Sequence, residues 1–363
     1  MQIVKNIIIA SILFIINFNY AQEQESWRMY YNQDSTLIGY KDHLDKIMIP
    51  PKFMGYTHAH KLDHIIAVTE PEDKGYINYY ITKEKKVVGR DSLYTLDNTA
   101  DCEREGFIRF RDPITDLVGL FNQKGEITIP ASYSMLQPVT NNVVIGLYGA
   151  SKKYKDDKHQ RGCNHYSWEG GNVYLLDTKG NILVENFEYE YETNLFSLQI
   201  TNQKPLDSLR KSYVGKNKKY YSVINYEEEF TQWIEKHLYI DLTLEKLKTI
   251  SYPKITHWVP ETKWKQTPAS EFLTTNFKHI KQLLQLTKEK KVDYFITMDG
   301  LNPFMYETTE YDQYFDNCRQ ARRKQYPVLA LYINQMFGEE SDQKSLHFLR
   351  TDKGYKLIQV SIN

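Results

Sequence analysis

Between residues 36 and 190 the apolar positions come in short runs of strand length, each closed by a polar turn. Val118-Gly119-Leu120-Phe121 leads into Asn122-Gln123-Lys124-Gly125, after which residues 126–129 alternate polar and apolar before Pro130. Asn suits the hydrogen-bonded geometry of a tight turn, and Gly reaches a positive φ at little cost. Alternation at period two marks a strand with one buried face. Proline has no N–H to give to a sheet, so Pro130 is expected to end the pairing. The pattern predicts a β-hairpin.

The same frame recurs along the chain. Ile38-Gly39-Tyr40-Lys41-Asp42 matches Val118-Gly119-Leu120-Phe121-Asn122. Eleven residues after each Gly stands a Pro, in Ile49-Pro50 and Ile129-Pro130, and three further on an aromatic, Phe53 or Tyr133. Weaker copies begin at Tyr79 and Tyr174, so the starts at 39, 79, 119 and 174 are 40, 40 and 55 residues apart. The longer gap holds an insertion, residues 151–171, rich in Lys, Asp, His and Gly and read as a solvated loop. A single hairpin cannot bury its apolar face, so neighbouring units are expected to stack around a continuous core.

These residues resemble the WG-repeat family, whose units carry a Trp-Gly pair, a Gly-bearing hairpin and an Ile-Pro-Pro step. Gly39 with Ile49-Pro50-Pro51 and Gly119 with Gly125 and Ile129-Pro130 carry the resemblance, which spans about residues 36–190. Ile38 and Val118 stand where the family has Trp, and Asp45 where it has the turn Gly. The resemblance implies a β-rich array used for binding or scaffolding, and it brings no catalytic residues.

Beyond the array the pattern changes. Residues 201–219 are polar and Lys-rich and read as a linker. Phe230, Trp233, Ile234 and Leu238 have helical spacing. Thr267-Pro268 reads as an N-cap followed by Pro at the first helical position. Phe272, Leu273, Phe277, Ile280, Leu283 and Leu284 then form one apolar stripe, ending in basic residues that favour a helix C-terminus. A third helix is expected over 310–323, and residues 345–362 close the chain as a hairpin. The fold class is therefore mixed: an N-terminal all-β repeat array of hairpins over 22–200, a linker, and a small α+β domain of unknown type over 220–363.

The first 21 residues read as an export signal. Lys5 precedes an apolar run over 7–18, and Ala21 offers a small residue for cleavage before a polar stretch. A spanning helix needs about 20 apolar residues and this run is shorter, so cleavage is expected over a retained anchor. The whole chain carries 46 basic and 46 acidic side chains. Removing the signal leaves 45 and 46, a net charge of −1, which offers no long-range field for nucleic acid or an anionic membrane. An exported location, periplasmic or extracellular, follows as the expectation. Of the three cysteines, Cys102 and Cys163 lie in the same half of the chain and are the expected pair if one disulfide forms. Three buried free thiols are the alternative.

Four groups of residues offer chemistry. On a strand His58 and His60 would share a face, with Asp63 and His64 nearby, as metal ligands often do. Solvated imidazoles on a loop explain them as well, and no metal is assigned. Cys163 beside His165, near His159, has the residue types of an activated thiol, but catalytic Cys and His are normally distant in sequence. Glu307, Glu310, Asp312 and Asp316 hold enough carboxylates for a hydrolase pair. Arg319, Arg322 and Arg323 follow closely, so a salt-bridged helix face is preferred. Tyr166, Trp168, Trp258 and Trp264 offer rings to a sugar or a partner. No Gly-rich phosphate loop, Gly-x-Ser-x-Gly elbow, His-Glu-x-x-His pair or Cys-x-x-Cys motif occurs. With no catalytic residues or cofactor assigned, the expected function is an exported binding or scaffold protein recognising another protein or an envelope polymer. The alternative is an envelope-polymer hydrolase with its site in the C-terminal domain.

Overall fold

The computed structural model describes residues 25–154, 166–190, 193–260, 263–337 and 340–362. The N-terminal part is a row of small antiparallel sheets, one for each repeat frame. Its first three are built around the strands Ile38–Lys41, Gly75–Thr82 and Val118–Asn122. A fourth surrounds Asn172–Asp177. Six residues after each frame start the backbone turns left-handed, at Asp45, Lys85, Gly125 and Gly180, with φ of 60°, 67°, 66° and 83°. Three residues after each start a side-chain oxygen closes the turn. Asn122 accepts from the N–H groups of Lys124 and Glu126, and Asp42 and Asp177 do the same in their copies. In the second copy Thr82 accepts from the Lys86 N–H.

The prolines do not end the pairing, contrary to the sequence expectation. Ile47–Phe53 and Ile127–Tyr133 run straight through Pro50 and Pro130. Leu120 pairs with Ile129 and Val118 next pairs with Tyr133, so the proline lies in a bulge where no N–H is required. The bulged strand crosses close over the frame glycine. A Cβ on Gly119 would stand 2.7 Å from the Ile129 carbonyl and 2.5 Å from the Phe110 ring, and one on Gly39 2.6 Å from the Ile49 carbonyl.

Consecutive sheets share cores on alternate faces. Ile66, Val68, Tyr79 and Ile81 pack against the first sheet, while Ile65, Ala67 and Tyr80 pack against Ile108, Phe110 and Phe121 of the third. Val118, Leu120 and Ile129 then meet Val144 and Leu176, and Val143, Ile145 and Leu175 meet Leu195, Tyr221 and Val223. With both faces buried, the central strands carry continuous apolar runs, such as Tyr79-Tyr80-Ile81 and Gly119-Leu120-Phe121.

That last contact corrects the linker. Thr193–Thr201, Arg210–Val214 and Tyr220–Asn225 form a fifth sheet of the array. The lysines that suggest a linker lie on its exposed side, where Lys211 pairs with Glu188 and Glu190, and Lys216 with Glu185. The insertion is also structured at its base, where Ser151–Tyr154 pairs with Tyr166–Glu169.

The array passes directly into helix α1 (Tyr226–His237), because Asn225 ends the strand and caps the helix by accepting from the Glu227 and Glu228 N–H groups. After α2 (Leu244–Thr249) come the strands Ser251–Val259 and Lys263–Pro268, then α3 (Ala269–Lys288). Asp293–Asp299, Val328–Phe337, Glu340–Thr351 and Gly354–Ser361 complete a six-stranded sheet. It is antiparallel apart from the pairing of Ser251–Val259 with Gly354–Ser361. The apolar stripe of α3 is buried as expected: Phe272, Leu273, Ile280, Leu283 and Leu284 lie against Leu331, Leu346 and Phe348. Each such side chain contributes about 1.5–3 kcal/mol before entropy is subtracted. Thr267 does not cap α3. It belongs to the preceding strand, its hydroxyl bonds His257, and the helix starts without a side-chain cap.

The opposite face of the sheet is covered by residues 301–326, whose Tyr306, Tyr311, Tyr314 and Tyr326 pack on Val328, Leu349 and Ile358. The helix expected over 310–323 is only a 3-10 turn, Thr309–Tyr314. Asp316 Oδ1 accepts from the Cys318 and Gln320 N–H groups, and Arg319 turns left-handed at φ 59°. This local side-chain turn competes with helical bonding and ends it.

Candidate functional site: a cleft where the array meets the sheet domain

The turn at 316–319 is held against the array. Cys318 forms a disulfide with Cys102, with their Cα atoms 6.1 Å apart. The expected Cys102–Cys163 pairing is therefore wrong. Proximity in sequence suggested it, whereas docking of the two halves brings residue 318 to residue 102 across 216 positions. Cys163, with His159 and His165, lies outside the described residues.

Polar contacts surround the disulfide. The N–H groups of His60 and Lys61 donate to the Asn317 carbonyl at 2.8 and 3.0 Å. Arg104 Nη2 is 2.7 Å from Asp316 Oδ2, and Lys61 Nζ is 3.6 Å from Asp312. Tyr226 donates its hydroxyl to the Lys324 carbonyl. Asp312 and Asp316 thus pair with cations of the array, with Arg322 adding a weaker attraction at Asp316, while Glu307 and Glu310 are exposed. Burial pushes the Asp316 carboxyl above the usual carboxylate range, with Arg104 opposing, and burial pushes the Arg104 guanidinium down. Both shifts follow from taking two charges out of water.

Beside this clamp lies a cleft of about 820 Å³. Residues 103–105 and 137–140 line its array wall, and residues 299–304 and 320–325 the opposite wall. Small-molecule sites span about 300–1,000 Å³ and favour junctions between domains. Most acids of the cleft have local partners. Glu103 accepts from the N–H groups of His64 and Ile65 and lies 2.6 Å from His64 Nδ1. Glu105 accepts from the Asn141 and Asn142 N–H groups. Asp63 accepts from the Ser26 hydroxyl, and Asp299 from the Gly300 N–H. Arg109 holds Asp101 through two nitrogens and donates to the Leu136 carbonyl.

No family model, curated protein or solved structure matches the chain. The functional reading rests on the cleft itself.

The remaining sequence candidates are dispersed. His64 is occupied by Glu103, His60 contributes its backbone to the clamp, and the buried His58 Nε2 has no partner. Among the described residues no three His, Cys, Asp or Glu side chains gather as metal ligands. Tyr166 and Trp168 meet edge to face in the insertion hairpin. Trp258 and Trp264 pair edge to face across two strands of the sheet, away from the cleft lining, and are 39% and 44% exposed. Ser345 Oγ and His347 Nε2 are 3.0 Å apart on one strand, also off the cleft lining. Sequence reasoning missed Arg104 and Asn317, and read Arg322 as part of a salt-bridged helix face. The first two stand beside the disulfide cysteines, so knowing the pairing would have placed them together.

Proposed function

We propose that the protein is an exported, non-enzymatic binding protein whose ligand occupies the cleft between the repeat array and the sheet domain. The observation that carries this reading is the position of the cleft, a ligand-sized space at a junction that a disulfide and two ion pairs hold in one geometry. Preorganised walls lower the ordering cost of binding. The disulfide supports an oxidising compartment, in keeping with the N-terminal export pattern. The resemblance of the array to WG repeats, a family regarded as binding modules, points the same way. Among the described residues no helix is long and apolar enough to cross a membrane.

A thermal-shift screen of the chain from residue 22 against envelope glycans, peptides and small metabolites tests this reading. Gln320 is exposed and lines the cleft, so Gln320→Trp fills the space with little effect on folding. A ligand that stabilises the native chain and fails to stabilise Gln320→Trp is the expected outcome. Equal stabilisation of both would overturn the cleft as the site.

A further inference from the structure

The Asp316 end of the cleft holds a buried donor without an acceptor. Asn317 is 3% exposed and lines the cleft, yet its Nδ2 has no hydrogen-bond partner. Arg104 also lines it. Its charge lies 2.7 Å from Asp316, but among the described residues its guanidinium makes no hydrogen bond, and Asp316 Oδ2 receives none. The other guanidinium nitrogens of Arg104 have no acceptor among the described residues. Arg322, on the opposite wall, is exposed and close enough to Asp316 to stabilise its carboxylate, with Arg104 the nearer cation. A buried amide nitrogen without an acceptor destabilises the fold, so a fold with no use for it gains by losing it. Arg104 and Arg322 against Asp316 leave +1 at this end of a lining whose five acids and five cations balance overall.

We infer that Arg104, Asn317 and Arg322 form a subsite for a ligand carboxylate, and that the ligand is a short acidic oligosaccharide. This rests on the cleft reading above. Guanidinium groups present planar forks matched to a carboxylate, and the Asn317 amide supplies a further donor. The cleft also offers flat apolar faces for sugar rings, on Phe196 and Phe304, the latter 85% exposed. Stacking on such faces together with one charged anchor distinguishes a uronic-acid oligomer from a neutral one.

Titration calorimetry with trigalacturonate, and with maltotriose as the neutral control, tests the subsite. Trigalacturonate is expected to bind and maltotriose to bind at least about tenfold more weakly, since hydrogen bonds to charged groups are among the stronger ones. Arg322→Gln, at an exposed position, and Asn317→Leu should each weaken trigalacturonate by about tenfold or more. The melting temperature of unliganded Asn317→Leu should be unchanged or raised. A marked fall in that temperature would show that the amide serves the fold and would overturn its part in the subsite. Equal binding of the two sugars, or no binding of trigalacturonate at millimolar concentration, would overturn the subsite. The cleft reading would survive either result if a ligand from the screen is still lost in Gln320→Trp. Tighter binding of triglutamate than of trigalacturonate would overturn the oligosaccharide assignment.

Discussion

Gly119 and His64 show how single positions carry the physics of this chain. At Gly119 any Cβ would press on the Ile129 carbonyl and the Phe110 ring. Neither backbone nor packed ring can yield cheaply, so Gly119→Ala should lose about 1–3 kcal/mol in urea unfolding. His64 is held by Glu103, and that hydrogen bond raises its pKa above the ordinary 6.5, with burial opposing. A raised folded-state value means that the stabilisation is complete below pH 6.5 and is lost as pH rises through the folded-state value. The melting temperature should therefore fall as pH rises from about 6 to 8, and fall less in His64→Gln. His347 has the opposite sign. Burial pushes it down to about 4, so folding resists its protonation and stability is lost as pH falls from 6.5 toward 4. Replacement by Gln should flatten that limb of the melting curve.

At the scale of the element, the repeat was legible because each hairpin needs the same two devices. One is a side-chain oxygen that closes the turn, and the other is a left-handed residue three positions later. Gly125 and Gly180 advertise the second in the sequence, whereas Asp45 and Lys85 occupy it at a steric cost. Lys85 is exposed, and Lys85→Gly should raise stability by up to about 1 kcal/mol, with calorimetry as the check. The apolar stripe of α3 was equally legible, since a helix on a sheet needs one buried face. The bulges at Pro50 and Pro130 were not. Proline forbids a donated hydrogen bond, but whether a strand stops or bulges depends on where the partner strand resumes pairing. The strands Asp293–Asp299 and Val328–Phe337 were also missed in sequence, the first because it is an edge strand with little apolar alternation.

Across the whole molecule, the joint between the halves is the least local feature. The disulfide closes a separation of 216 residues, and its removal is expected to cost about 2–5 kcal/mol. The Cys102→Ser, Cys318→Ser double variant should show this loss in chemical denaturation and should also weaken any ligand found for the cleft. Peptide mapping under non-reducing conditions checks the pairing itself: a fragment joining Cys102 to Cys163 would refute it.

What the sequence alone determined is whatever depends on neighbours a few residues apart: the hairpin frame, its turns, the helical stripe, and hence a β-repeat array followed by an α+β domain. Tertiary structure alone decided the partner of Cys102, the acids that face Lys61 and Arg104, and the meeting of Arg104 with Asn317 and Arg322 in one cleft. Local periodicity reports which face of an element is buried, but not which distant face buries it. Docking brings residues 102–104 beside 316–318, and no pattern within either segment encodes that contact.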